Sequence, residues 1–510
     1  MRKNNRTFSV EALFILCSAL ASCDAGHNDS SGEPLSVRTY LTSAEGAKLL
    51  EVDPTDEHPP ALDTLHLALD TAVSYQSITG FGGAFTEATA STFFRLSPVN
   101  QEKILDLYFG NNGARYSLCR THMNSCDFSL GSYSYAPVEG DTSLEHFSLF
   151  EDTADIIPMI RMAQNVSENG FKLIASPWTA PPWMKDNNDW FGGKLRPEYY
   201  GTWAKFFSKY AVAMKENGAP IWAFTVENEP LGNDAHWESM HYTPQEMAVF
   251  VKGYLGPELN RLDDRPHILI YDQNRDEELI EWSNVLLTDS QVMKQIHGTA
   301  VHWYSSTIDW MPDALQHVHD LGPDKPIIHT EACIDADTPR WKNDEWYWSE
   351  EATDWGYQWA APDKKKDHPK YVPVYRYARD IIGCLNNHVE GWVDWNMMLD
   401  RQGGPNHVGN WCIAPVIADV QTDEIYITPL YYALAHFSKF IQPGAKRIQH
   451  ELNSEKVMTT ALKNPDGSVI VIVFNSNDSP YSLEFELGDG ASGVFVPAQS
   501  IQSIVIGEVE

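Results

Sequence analysis

Two strand-like runs in this chain lead up to a glutamate. The first, Phe224-Thr225-Val226-Glu227-Asn228-Glu229-Pro230, ends with Glu229 in front of a proline, and the second, Ile327-Ile328-His329-Thr330-Glu331, is apolar until its last residues. Proline disfavours helical backbone at the residue before it, so Glu229 is expected to project from the end of a strand. A carboxylate at the end of a buried strand costs stability unless it is paired or used. Two carboxyls held across one bond, one protonated and one ionised, have the chemistry for cleaving a glycosidic bond, and cleavage with retention needs them about 5–5.5 Å apart. Asn228 offers an amide beside Glu229, suited to a sugar 2-hydroxyl.

The elements that must position these residues follow from the wider pattern. Between residues 76 and 440, short β-rich runs alternate with amphipathic helical stretches, as expected of parallel strands joined by crossover helices. Eight runs are readable: Gln76–Gly80, Tyr116–Arg120, Lys172–Ser176, Ile221–Val226, His267–Tyr271, Thr299–Trp303, Pro326–Glu331 and Gly391–Trp395. Helical patterns lie between them, for instance Thr153–Glu168, Pro197–Glu216, Thr243–Leu262, Asp309–Leu321 and Tyr371–Asn387. This predicts an α/β fold, a (β/α)8 TIM barrel over 76–439, with its site at the C-terminal ends of the strands. After Lys439, Tyr481, Leu483, Phe485 and Leu487 alternate with polar residues, and Leu65, Leu67 and Leu69 do the same before the barrel. Segments 35–75 and 440–510 are therefore expected to share one discontinuous antiparallel β-sandwich side domain. The stretch Asp335–Pro369 is long for a βα connection and is expected on the rim of the site.

Bulk properties narrow the partners. The chain has 510 residues, 43% of them hydrophobic, enough for a barrel with a satellite domain. Its 37 Lys+Arg against 70 Asp+Glu give a formal charge of -33, which repels a phosphate backbone and excludes nucleic acid as a partner. The 17 tryptophans supply core and flat apolar platforms suited to sugar rings. Of the seven cysteines, Cys119, Cys126, Cys333, Cys384 and Cys412 lie beyond the N-terminal segment; none has the spacing of a zinc site, so no metal and no cofactor are expected. At the N-terminus, Arg2, Lys3 and Arg6 precede the apolar stretch Ala12 to Ala21 and the sequence Leu20-Ala21-Ser22-Cys23. This resembles a bacterial lipoprotein signal over 1–22, with Cys23 lipidated and 23–34 a polar tether. The protein is then exported and held in the cell envelope by a lipid anchor, or secreted if an ordinary signal peptidase cuts there.

Six motifs carry a family resemblance from about Gln76 to the C-terminus: Phe81-Gly82-Gly83-Ala84, Ser125-Cys126-Asp127-Phe128-Ser129, Ser176-Pro177-Trp178-Thr179, Glu227-Asn228-Glu229-Pro230, Val301-His302-Trp303-Tyr304 and Asp394-Trp395-Asn396. Together they resemble the glucosylceramidase branch of glycoside hydrolase family 30. The resemblance implies a retaining β-glycosidase with Glu229 as acid/base and Glu331 as nucleophile. It places Asp127, Trp178, Asn228, His302, Trp395 and Asn410 in the glycone pocket and Arg120 beside the nucleophile. An ionised Glu331 would keep the proton on Glu229 until the covalent intermediate removes its charge and lets the partner act as base.

The chain departs from the family pattern after the eighth strand. Where many relatives read Pro-Asn-Trp-Val-Arg-Asn, it has Pro405-Asn406-His407-Val408-Gly409-Asn410. That change lies on the aglycone side. A β-linked glucoside is the expected substrate, either a glycolipid such as glucosylceramide or a β-1,6-glucan. A surface lipoprotein that only binds glycans is the alternative from another class.

Overall fold

The computed structural model describes residues 33–53, 61, 63–232, 236–335, 343–353 and 360–507. The expected signal and lipidated Cys23 lie outside the described residues. Eight parallel strands close into a barrel: β1 (Gly80–Phe85), β2 (Leu118–Met123), β3 (Lys172–Pro177), β4 (Ala223–Thr225), β5 (His267–Asn274), β6 (Gly298–His302), β7 (Ile327–Glu331) and β8 (Val389–Asn396). Alternate side chains of a strand point to opposite faces, and Leu118, Ile174, Ala223, Leu269, Ala300, Ile328 and Val393 pack together as an apolar layer drawn from seven of the strands. Counting two residues onward from this layer gives Arg120, Ser176, Thr225, Tyr271, His302, Thr330 and Trp395. The layer nearer the strands' C-terminal ends is therefore polar and aromatic.

The first barrel strand begins later than its apolar pattern suggests. Gln76 belongs instead to the long sandwich strand Thr64–Ser77, and β1 starts at Gly80. The glycines of Phe81-Gly82-Gly83 hide the strand because they weaken β propensity, yet the fold requires them. A Cβ at Gly82 would fall inside the van der Waals shell of the Leu118 carbonyl oxygen on β2. The long helical stretch beginning at Thr243 is also divided. Thr243 and Glu246 form a reciprocal capping box, and the helix Pro244–Phe250 runs into a π-turn, Val251–Leu255. There Gly256 N–H bonds to Val251 O, five residues back, immediately before Pro257, which has no N–H to offer.

The sandwich takes strands from both ends of the chain. Val37–Ser43 pairs antiparallel with Ser500–Ile506, and Thr64–Ser77 lies between Lys446–Leu452 and Tyr481–Leu487. Leu65, Leu67, Leu483, Phe485, Val471 and Ile504 share its core. It docks on the barrel through the helix Pro429–Ser438, whose buried His436 bonds Ser503 Oγ at 2.7 Å and Thr42 Oγ1 at 2.8 Å. The described parts of the 335–369 stretch are tied down at two places. Asp344 meets Lys48 and the Tyr426 hydroxyl, while Ser306 Oγ and Thr307 N reach Asp367 O at 3.0 and 3.1 Å. No helix among the described residues is long and apolar enough to cross a membrane.

Candidate active site

The polar layer at the strand ends converges on Arg120, which is fully buried on β2. Its guanidinium bonds Glu331 Oε2 at the end of β7, Asp272 Oδ2 (2.8 Å) on β5, Asn228 Oδ1 (2.9 Å) after β4 and Ser176 Oγ (2.9 Å) on β3. One cation thus ties four strand ends together. Asp272 reaches the cluster through a backbone irregularity. The β5–β6 register passes from Tyr271 to Gln273 and leaves Asp272 in a bulge, with Tyr271 and Asp272 both at positive φ. A bulge of this kind bends the strand locally and re-aims a side chain.

His302, at the end of β6, spans the carboxylates. Nε2 lies 3.0 Å from Asp272 Oδ1 and Nδ1 3.3 Å from Glu229 Oε1. Thr330 Oγ1 donates to Asp272 Oδ1 at 2.6 Å, so that carboxylate is fully engaged. Glu229 sits beyond the end of β4 with φ 49°, in the left-handed region, and its N–H bonds Asp272 O at 2.9 Å. A non-glycine residue held there stores backbone strain of roughly 1–3 kcal/mol, which the surrounding bonds must offset. One carboxylate oxygen each of Glu229 and Glu331 and a ring nitrogen of His302 lie within 4.8 Å of one another. Tyr304, two residues past His302, donates its hydroxyl to Glu331 Oε1 at 3.0 Å.

The charges are set by these contacts. Burial pushes Asp272 up, but the Arg120 guanidinium and the His302 ring hold its carboxyl well below the ordinary range. Burial likewise works against the His302 cation, but the Glu331 and Asp272 carboxylates raise it to about 9, so the ring is an imidazolium at neutral pH. Glu331 is lifted by burial, opposed by His302 and Arg120, and lifted further by Glu229; the net direction is upward. Glu229, His302 and Glu331 are the one His/Cys/Asp/Glu cluster near enough to ligate a metal among the described residues. Here the chain itself supplies the positive charge, with Arg120 on Glu331 and a proton on His302.

The residues expected around the glycone are brought to the same place. Trp178 and Trp395 stack at 5.1 Å between ring centroids, inclined by 22°, and Arg120 lies over both rings at 4.9 and 5.5 Å. Asp127 Oδ2 accepts from Asn410 Nδ2 at 2.8 Å, while its buried Oδ1 has no protein partner among the described residues. Burial, with Glu331 adding to it, pushes the Asp127 carboxyl up to about 8. It thus has an oxygen to offer a sugar hydroxyl. Asn228 is held by Arg120, and its own N–H bonds Pro177 O at 2.7 Å. The altered rim has its own pairing. His407 Nε2 lies 3.2 Å from Glu238 Oε1 and Nδ1 2.9 Å from Ser129 O. The Glu238 hydrogen bond raises the His407 imidazole, and although burial pushes Glu238 up, His407 holds it low.

Asp272, Tyr304, Ser176, Thr330 and Glu238 are site residues that sequence reasoning did not single out. Asp272 had a signal, since Ile268-Leu269-Ile270-Tyr271 is apolar up to that carboxylate, as the run before Glu331 is. Tyr304 stood in a motif already noted. Glu238 had none, because only the chain's return through His407 brings it to the rim.

Comparison with known proteins agrees with this geometry. Residues 78–441 match the glycosyl hydrolase family 30 TIM-barrel domain and residues 444–504 its beta sandwich domain. The chain is 36% identical over 431 residues to lysosomal acid glucosylceramidase of Mus musculus, covering 82% of this chain and 79% of that protein. Among solved structures it resembles SrfJ from Salmonella typhimurium with a TM-score of 0.79 and 28% identity, over 93% of this chain and 100% of the other. The endo-beta1,6-glucanase BT3312 gives 0.78 and 26%, over 92% and 100%. With its closed eight-stranded barrel, two-ended sandwich and paired carboxyls, the chain belongs to glycosyl hydrolase family 30 and is a glycoside hydrolase.

Proposed function

We propose that the chain is a retaining β-glucosidase of the glucosylceramidase type, with Glu331 as nucleophile and Glu229 as acid/base. The observation that carries this is the approach of one oxygen of each carboxyl to within 4.8 Å from the ends of β4 and β7, which suits direct attack on an anomeric carbon rather than attack through a water held between the two groups. Glu331 is oriented by Arg120 on one oxygen and Tyr304 on the other. Its lone pair attacks the anomeric carbon as the bond to the aglycone oxygen breaks, and Glu229 gives that oxygen a proton. Water then attacks the glycosyl ester, Glu229 takes the water's proton, and Glu331 leaves as carboxylate. Arg120 and His302 offset Asp272 and Glu331, which suits the carboxylate form of the proposed nucleophile, and the remaining carboxyl of the cluster is that of Glu229. Its side chain is 24% exposed, the most open of the group, where water can reach it.

The glycone is a β-glucoside held by Asp127, Asn228 and Asn410 and stacked on Trp178 or Trp395. Ceramide is the first aglycone proposed, supported by likeness to the mouse glucosylceramidase over most of both chains. A β-1,6-glucan is the second, favoured by likeness to BT3312 and by a His407–Glu238 pair that makes the rim polar and charged. The two are separated by product analysis of the purified chain on glucosylceramide and β-1,6-glucan side by side. Release of glucose and ceramide establishes the first; oligosaccharides from the glucan with the lipid untouched establish the second, and neither product overturns both. We further propose that the protein is exported and anchored through a lipid on Cys23. A Cys23→Ser chain should then lose acyl labelling and leave the membrane fraction, and unchanged labelling would refute the anchor.

A further inference from the structure

We propose that Cys333 and Cys412 are a disulfide-forming pair that fastens the loop bearing Asn410 to the end of the strand bearing Glu331. Their sulfurs are 3.2 Å apart and nearly buried, at 5% and 1% exposure. A bond between them needs the sulfurs to approach by about 1.2 Å, to the usual 2.05 Å. The backbone already holds the two segments together, since Ile334–Asp335 pairs antiparallel with Cys412–Ile413. The other described cysteines have different neighbours. Cys384 faces Arg275 and Asp380, Cys126 faces Ser129, and Cys119 lies buried on β2.

The pair is placed where a cross-link would matter. Cys333 is two residues beyond Glu331, and the Tyr304 hydroxyl that bonds Glu331 lies 3.5 Å from Cys333 Sγ. Cys412 is two residues beyond Asn410, which orients Asp127. Joining them closes a loop of 79 residues between the nucleophile strand and the glycone-binding loop. The oxidant is a low-molecular-weight disulfide, RSSR. One cysteine thiolate attacks it and releases RS⁻, and the second then attacks the mixed disulfide and releases the other RS⁻. The protein loses two protons and two electrons, and RSSR is reduced to two RSH. This inference does not depend on which aglycone the enzyme takes.

The full chain is treated with oxidised glutathione or with a thiol reductant, then denatured, alkylated and mapped by mass spectrometry. The expected result is two fewer alkylated thiols than in the reduced sample and one cross-linked peptide pair containing Cys333 and Cys412, without retained glutathione. The oxidised protein should melt a few degrees above the reduced one, and in Cys412→Ala this difference should vanish. Full alkylation of every thiol after oxidation, a stable glutathione adduct on Cys333, or a link through Cys126 would each overturn the pair. If Cys412→Ala fails to fold, the peptide map of the native chain still decides the matter.

Discussion

Among single residues, like side chains take unequal roles. Glu331→Gln should lower turnover of every glucoside by at least about 10⁴-fold, equivalent to about 5.4 kcal/mol of transition-state stabilisation. Glu229→Gln should instead keep much of the first step on aryl glucosides whose leaving group needs no proton, read as a burst of aglycone. Tyr304→Phe removes a donor to the Glu331 carboxylate, a charge-assisted bond worth roughly 1.5–3 kcal/mol, so kcat/KM should fall about 10- to 100-fold. Because that donor favours the ionised form, its loss should also move the acid limb of the pH profile upward. In the unaltered chain the limb should already lie above the ordinary carboxylate range, because burial raises Glu331. An acid limb at or below that range, or one that Tyr304→Phe leaves in place, would count against the assignment. Glu331 stands out in the sequence because it closes an apolar run, and Glu229 because Pro230 follows it. Asp272 closes one as well, yet its inward aim depends on a bulge that periodicity does not encode.

At the scale of elements, the barrel strands supply both site and spacing. Glycine at position 82 lets β1 approach β2, so Gly82→Ala should force the strands apart and destabilise the fold by about 1–3 kcal/mol. A calorimetric melting temperature equal to that of the parent would contradict this. The bulge on β5 makes a separate prediction. Asp272→Asn keeps the shape but removes the anion that faces both Arg120 and His302, and His302 should then titrate at lower pH. Nitrogen chemical shifts of the ring followed against pH would check this, with an unchanged midpoint as the contrary result. The alternation of strand and helix was readable along the chain because apolar periodicity reports burial directly. The start of β1 was not, since Gly82 and Gly83 carry no side chain to signal it. The π-turn at Val251–Leu255 was hidden for the opposite reason, because the helical pattern continues across it.

For the whole molecule, the docking of sandwich on barrel carries a pH dependence. Buried His436 meets no ionised partner among the described residues, and burial lowers it to about 3. The unfolded chain binds a proton at this site near the ordinary pKa of about 6.5 while the folded chain does not, so stability is fully present above that value and declines as pH falls toward 3. His436→Asn should lower stability at neutral pH by removing the bonds to Ser503 and Thr42, yet show a smaller further loss on acidification; an equal loss in both proteins would refute the linkage. The shared sandwich was legible from alternating apolar residues, Leu65, Leu67 and Leu69 near one end and Tyr481, Leu483, Phe485 and Leu487 near the other. The rim was not, because Glu238 and His407 are 169 positions apart and meet only when β4 and β8 bring their loops together. The nucleophile is identified by incubating the enzyme with a 2-deoxy-2-fluoro-β-glucoside bearing a good leaving group, then locating the covalent adduct by peptide mass. The expected result is one sugar per chain, esterified to Glu331. A sugar on any other residue, or an α-anomeric first product with no adduct formed, would contradict it.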